Sequence, residues 1–246
     1  MELVRRGMAR SRSHAAEMIE SGMVEVAGIP TPKVASLVAA GDPIELTAPP
    51  RFVGRGGEKL AAALEAFPVE VSGRRCLDAG ASTGGFTDCL LQHGAARVVA
   101  VDVGRGQLDD RLAKREEVEV VDRTNVRHLD PGQVGGPFDI VVGDLSFISL
   151  CTVAPAIRRL VEPTGDVIML VKPQFEVGRS QVGRGGVVRD PDLHAFALDR
   201  VAGCFEAAGL VPLGVIRSPL TGAKGNVEFL MWARPDAEPI ELEYPL

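Results

Sequence analysis

Gly80, Ser82, Thr83, Gly84, Gly85 and Phe86 sit at the centre of Cys76-Leu-Asp-Ala-Gly-Ala-Ser-Thr-Gly-Gly-Phe-Thr-Asp88, a stretch whose residue types could hold a ligand on the main chain. An apolar strand signal, Arg75-Cys-Leu, runs into this turn, and a helical segment from Phe86 to His93, closed by Gly94, follows. Strand, glycine turn and helix present backbone N–H groups and a helix N-terminus at the edge of an open α/β sheet. The glycines carry no Cβ, so a ligand can approach the backbone closely. The next strand, Arg97-Val-Val-Ala-Val-Asp-Val103, has Asp102 at its tip, 22 residues after Gly80. An acid placed there can accept hydrogen bonds from a ribose. The unit reads as a site for a nucleoside-containing cofactor.

Other readings compete for the same turn. A phosphate-binding P-loop needs a lysine after its last glycine, and none follows here. A dinucleotide fingerprint is broken at Ser82, where its second glycine should stand. Gly80-Ala-Ser-Thr-Gly84 matches G-x-S-x-G, which would make Ser82 a hydrolase nucleophile. Against that, no HGGG-like oxyanion segment precedes the turn, and the turn follows the first strand of its domain. A glycine turn with no ligand also stays open.

A second group could move a proton. Lys59, Asp144, Lys172 and Glu228 are far apart in sequence. In an open parallel sheet, ligands sit off the C-terminal strand edge. Asp144 ends one strand there and Lys172 ends the next, while Glu228 begins a final strand that runs backwards. Lys59, on a helix before the first strand, could fold over the same edge. A lysine can accept a proton only if burial or a second cation lowers its pKa. The plain alternatives are a solvated helix lysine at 59 and an edge-strand charge at 228.

The elements that must position these groups follow from the apolar pattern. Residues 1–46 read as a small module: Ser11 or Ser13 caps a helix with Ala15, Met18 and Ile19 on one face, Gly22 stops it, and short strands follow near 23–27 and 43–46. Residues 47–54 form a Pro-bearing linker, and residues 55–246 form the main domain. There a helix spans 58–67, strands fall near 75–79, 97–103, 118–122, 138–144 and 166–172, and helices cover 150–161 and 191–208. Two last strands, near 213–217 and 227–233, are joined by a link too short for a crossover helix, so they run antiparallel.

Composition narrows the class. With 46% apolar residues in 246, the chain can bury a real core. No apolar run reaches the roughly 18 residues of a membrane helix, and the N-terminus has no signal-peptide core. Cys76, Cys89, Cys151 and Cys204 are scattered without a C-x-x-C pair, which argues against zinc and against a disulfide framework and fits a reducing cytoplasm. His128 and His194 sit in polar stretches with no ligand-spaced partner and are assigned no role. Residues 1–59 hold eight Lys/Arg against seven Asp/Glu, whereas the remainder holds 19 against 26. Arg5, Arg6, Arg10 and Arg12 crowd the start, and Arg179, Arg184 and Arg189 stud the glycine-rich stretch 178–189. Both groups could contact phosphates, or could be a solvated face and a plain connecting loop.

Arg10-Ser-Arg-Ser-His-Ala-Ala-Glu-Met-Ile-Glu-Ser-Gly-Met-Val-Glu-Val-Ala-Gly28 resembles the S-four-type RNA-binding domain. With Arg55-Gly-Gly-Glu-Lys59, the Asp78–Asp88 turn, Val101-Asp-Val-Gly-Arg-Gly-Gln-Leu108, Asp144-Leu-Ser-Phe-Ile-Ser-Leu150, Val171-Lys-Pro-Gln-Phe-Glu176 and Gly225-Asn-Val-Glu228, the chain from Glu2 to Trp232 resembles the TlyA (haemolysin A) family of ribosomal RNA 2′-O-methyltransferases. The chain begins within that family's first helix and ends soon after its last strand. The resemblance implies a Rossmann-like class I methyltransferase sheet, mostly parallel with the last strand antiparallel, behind a small α+β RNA-binding domain. It implies S-adenosylmethionine held by Gly80, Ser82, Thr83, Gly84, Gly85, Phe86, Asp102 and Asp144. It assigns Lys59, Asp144, Lys172 and Glu228 to FtsJ-like ribose methylation of cytidine in 23S ribosomal RNA, alone or together with 16S. RNA contacts are expected from Arg5, Arg6, Arg10, Arg12, Arg51, Arg55, Arg179 and Arg184. No metal or membrane is needed, the protein is expected in the cytoplasm, and a monomer is favoured. Family members without terminal extensions act on the large subunit. The rivals are a membrane-lytic protein and a serine hydrolase built on Ser82.

Overall fold

The structure, a computed structural model, describes residues 2–9, 11–20, 22–30, 34–47, 51–183 and 185–246. It divides into two compact units, residues 1–53 and residues 54–246.

The first unit holds helices α1 (Glu2–Arg5) and α2 (Arg12–Glu20) and strands β1 (Val24–Val26), β2 (Ile29–Pro30) and β3 (Ile44–Leu46). The Ser11 hydroxyl accepts the His14 N–H at 3.1 Å and starts α2. Gly22, at φ +70°, turns the chain out of it. The strands form an antiparallel sheet in the order β2-β1-β3. Leu3, Ala9, Ala15, Met18, Val24 and Ile44 make its core.

The second unit begins with α3 (Gly56–Ala66) and β4 (Arg75–Ala79), followed by α4 (Gly85–Gln92), β5 (Arg97–Val101), α5 (Asp110–Ala113) and β6 (Val118–Val121). Then come β7 (Phe138–Gly143), α6 (Leu150–Leu160), β8 (Val161–Val171), α7 (Pro173–Glu176), α8 (Pro191–Ala207), β9 (Val211–Arg217) and β10 (Phe229–Arg234). The sheet order is β6-β5-β4-β7-β8-β10-β9. Strands β4 to β8 pair in parallel, and β10 runs antiparallel to both β8 and β9. The inner strands are buried on both faces, which is why Ile140-Val-Val142 and Val167-Ile-Met-Leu-Val171 read as unbroken apolar runs. Strand order reverses between β4 and β7. Such a switch point opens a crevice at the C-terminal strand ends.

Strand β8 starts at Val161, ahead of its apolar run. Glu162-Pro-Thr-Gly165 interrupts the pattern, and the pairing with β7 shifts register between Phe138 and Ile140. Two expectations are corrected. Cys151 and Cys204 form a disulfide with a Cα–Cα distance of 5.1 Å. Their 53-residue separation hid the pairing, because only the packing of α6 beside α8 brings them together. Cys76 and Cys89 are buried free thiols. His194 is buried against an aromatic ring rather than set in polar surroundings: it is 5% exposed, its Nε2 lies 3.0 Å from the Val188 carbonyl, and its ring meets Phe229 edge-on.

Candidate active site

The turn after β4 is shaped from within. Gly80 and Gly84 have φ of +85° and +98°. A Cβ on Gly80 would stand 2.8 Å from the Asp144 carbonyl, and one on Gly84 would stand 2.5 Å from Leu112 Cδ1. Backbone conformation favours glycine at both places, and at Gly80 the Asp144 main chain also leaves no room for a Cβ. Gly84 then serves as the N-cap of α4, whose first turn buries Gly85 and Phe86.

Asp102 grips the same turn. Its Oδ2 accepts the Ser82 N–H at 2.8 Å and its Oδ1 accepts the Gly104 N–H at 2.7 Å. These bonds hold Ser82 at φ +49° and leave further lone pairs on each oxygen. Among the described residues, no histidine hydrogen-bonds the Ser82 hydroxyl, so the hydrolase arrangement is not assembled.

Asp102 also lines a cavity of about 470 Å³ with Gly80, Ser82, Gln107, Asn125 and Asp144. Its apolar wall includes Val101, Val126, Leu145, Phe147, Ile148 and Val153. A smaller cavity of about 220 Å³ shares Gly80, Ser82, Asp144 and Ser146 and adds Thr83, Gly85, Phe86 and Lys172. A slot with an apolar wall, a carboxylate and turn N–H groups fits an adenosine with a polar tail.

The structure brings the four charged residues together. Lys59, on the inner face of α3, places Nζ 2.5 Å from Glu228 Oε2 and 4.0 Å from Asp144 Oδ2. Lys172, after the last residue of β8, places Nζ 2.5 Å from Asp144 Oδ1 and donates to Ser146 Oγ at 2.9 Å. Asp144 Oδ1 is buried and meets Lys172 as an ion pair outside hydrogen-bond geometry. Lys59, Lys172 and Glu228 are all buried. Two ammonium groups and two carboxylates alternate, so each buried charge has an opposite neighbour, as burial demands.

Some contributors were not anticipated. Ser146 and Phe147 belong to the loop after β7; Phe147 is 91% exposed at φ +62°, with its ring tilted 5.3 Å from that of Phe175. An aromatic and a serine just past a strand end were the available signal, since loops off this edge carry ligand contacts. Behind the turn, Asp78 is fully buried and accepts from Thr87 Oγ1 at 2.7 Å. Burial pushes its carboxyl up to about 7; the Thr87 hydrogen bond opposes this, and the negative charges of Asp144 and Asp102 add to it.

The arginines are dispersed. Arg5 and then Arg6 hold the Glu2 carboxyl down at about 2. Arg6 also donates to the carbonyls of Asp42 and Ala40, so its guanidinium fastens the module itself. Arg12 borders an apolar groove with Ala15, Ile19 and Val24. Arg51 lies over the Phe52 ring. Arg55 donates to the Thr221 carbonyl at 3.0 Å. Arg179 opens a short turn, Arg179–Gln181, and Arg189 is exposed. Arg10 and Arg184 lie outside the described residues.

Comparison with known proteins gives consistent matches. Residues 52–235 match the FtsJ-like methyltransferase family. The 16S/23S rRNA (cytidine-2′-O)-methyltransferase TlyA of Mycobacterium tuberculosis is 52% identical over 96% of this chain and 89% of that protein. Hemolysin A of Brachyspira hyodysenteriae is 37% identical over 91% of this chain and 94% of that protein. A solved structure from Streptococcus thermophilus, named as a candidate hemolysin, superposes with a TM-score of 0.77 at 36% identity, covering 96% of this chain and 87% of that one.

Proposed function

Because the chain belongs to the FtsJ-like methyltransferase family, and within it to the TlyA group, we propose that it transfers the methyl group of S-adenosylmethionine to the ribose 2′-hydroxyl of a cytidine in ribosomal RNA. The observation that carries this reading is the Lys172–Asp144 pair, buttressed by Lys59–Glu228, at the mouth of a cavity that suits an adenosine.

In this reading Asp102 accepts from the cofactor's ribose, and the wall from Leu145 to Ile148 packs on its base. When bound, S-adenosylmethionine supplies a methyl already activated on a sulfonium. The protein must therefore place a weak nucleophile and deal with its proton. Lys172 Nζ, fixed by Asp144 and Ser146 at the end of a buried strand, is the group that meets the 2′-hydroxyl. Lys59 and Glu228 hold Asp144 in place, so the reacting oxygen is met by an ordered set of charges rather than by water. Positioning supplies much of the rate. The exposed Phe147 ring suits stacking of an unpaired base at the site's rim. Arg12 and the arginines of 178–189 contact phosphates without reading sequence.

The test is transfer of labelled methyl from S-adenosylmethionine to separated ribosomal subunits that lack the modification. Label in RNA with the natural chain, and none with Lys172→Ala at unchanged cofactor binding, is expected. Absence of label from both subunits overturns the proposal.

A further inference from the structure

Glu176 is a charged group that the chemistry above does not use, yet it is 1% exposed. It ends α7, which starts directly after Lys172. Its carboxylate reaches the loop that follows β7: Oε2 accepts from the Ser149 hydroxyl at 2.6 Å and Oε1 accepts from the Leu150 N–H at 2.8 Å. Ser149 is the N-cap of α6, with its oxygen accepting the Cys151 N–H at 3.2 Å. A helix start is commonly satisfied by its own cap. Here a carboxylate from another strand connection completes the cap, where the helix dipole favours negative charge. Burial pushes the Glu176 carboxyl up, and the hydrogen bonds from Ser149 and Leu150 oppose that.

Both joined segments are also pinned to α8. Arg200 donates to the Glu176 carbonyl at 2.7 Å, and the Cys151–Cys204 bond fixes the first turn of α6. Within this frame, Ser146 and Asp144 at one end of the loop meet Lys172 Nζ, while Ser149 and Leu150 at the other end meet Glu176.

We infer that Glu176 is a positioning residue for methyl transfer: it sets the loop carrying Asp144 and Ser146 against the segment carrying Lys172, and so fixes where the Lys172 ammonium points. This rests on the proposed methyl-transfer reading. The Glu176 carboxylate bonds Ser149 and Leu150 rather than the Lys172 ammonium, and it lines neither cavity, so its effect passes through the loop.

The test compares Glu176→Ala, Glu176→Gln and Ser149→Ala with the natural chain in methyl transfer to ribosomal subunits, with kcat, KM for RNA and melting temperature measured for each. Glutamine keeps an acceptor for Leu150 and a partner for Ser149, so kcat stays within about threefold of the natural chain. Alanine removes both bonds and lowers kcat by about 10- to 100-fold with KM for RNA unchanged, as expected for a small displacement of a reacting group. Ser149→Ala falls between them. In a Ser146→Ala background, Glu176→Ala has a smaller further effect, because the loop has already lost one of its two contacts with Lys172 and keeps only the Asp144 ion pair. If Glu176→Ala does not fold, Ser149→Ala carries the test: a several-fold loss of kcat is expected, and an unchanged kcat overturns the inference. A folded Glu176→Ala protein with natural kcat also overturns it, as does Glu176→Gln being as impaired as Glu176→Ala. Failure of the natural chain to transfer methyl at all would overturn the methyl-transfer reading instead.

Discussion

Lys172 is where a single side chain decides most. It ends a buried strand, and its ammonium is met by Asp144 and the Ser146 hydroxyl. Lys172→Arg keeps the positive charge but cannot act as a base. We expect it to bind cofactor and RNA and to lose nearly all transfer. Natural turnover by Lys172→Arg on a correctly bound subunit would rule out proton acceptance and leave only electrostatic positioning. For the cofactor, Asp102→Ala is expected to weaken S-adenosylmethionine binding by about 1.5–3 kcal/mol, the range for a charged hydrogen bond. Calorimetry with unchanged affinity would place the ribose elsewhere.

Asp78 makes a prediction about stability. Its folded-state pKa, raised to about 7 by burial, lies above that of the unfolded chain. The native state therefore binds the proton more tightly. This contribution is full below the unfolded value and declines as pH rises through about 7. Asp78→Asn keeps an acceptor for Thr87 and removes the titration. Between pH 5 and 7, stability of the natural chain relative to Asp78→Asn should fall by about 1.4 kcal/mol per pH unit in urea titrations. Parallel curves for the two proteins would show that Asp78 titrates normally. The convergence of Lys59, Asp144, Lys172 and Glu228 could be read in the sequence because each lies at a strand end or on the one helix able to cover that edge. Ser146 and the Thr87–Asp78 bond could not, since they depend on loop path and rotamer rather than on spacing.

At the scale of elements, the parallel strands were legible because burial on both faces writes a continuous apolar run. What spacing did not carry is distance between elements. Cys151 and Cys204 are an instance: nothing in their separation marks them as partners until α6 packs on α8. α5 and α7 were also missed, being a single turn each, too short to show helical periodicity. The disulfide closes a long loop, which in the chain-entropy account constrains the unfolded state by about 4 kcal/mol at most. Reduction, or Cys151→Ser with Cys204→Ser, should lower the urea midpoint and steepen the slope of unfolding, because the unfolded chain freed of the cross-link exposes more surface. A midpoint that does not move under reductant would mean that the bond is not formed in solution.

The whole molecule carries a formal charge of −6, so RNA binding must come from local placement of positive charge rather than from its sum. We propose that the first unit reads RNA. Removing residues 1–46 should leave cofactor affinity intact and remove most affinity for ribosomal subunits. Arg12→Ala should weaken binding and shallow its dependence on salt by about one unit per lost phosphate contact. A truncated protein that methylates subunits as well as the full chain would exclude that role. The hemolysin names among the relatives raise a lytic reading; among the described residues, no helix is long and apolar enough to cross a membrane.

The most direct measurement is the identity of the methylated product. Subunit RNA treated with the protein and S-adenosylmethionine would be digested to nucleosides and analysed by mass spectrometry. We expect 2′-O-methylcytidine to appear with the natural chain and to be absent with Lys172→Ala. Methyl groups found on a base, or on the ribose of another nucleoside, would contradict the assignment of Lys172 and its partners to a cytidine 2′-hydroxyl.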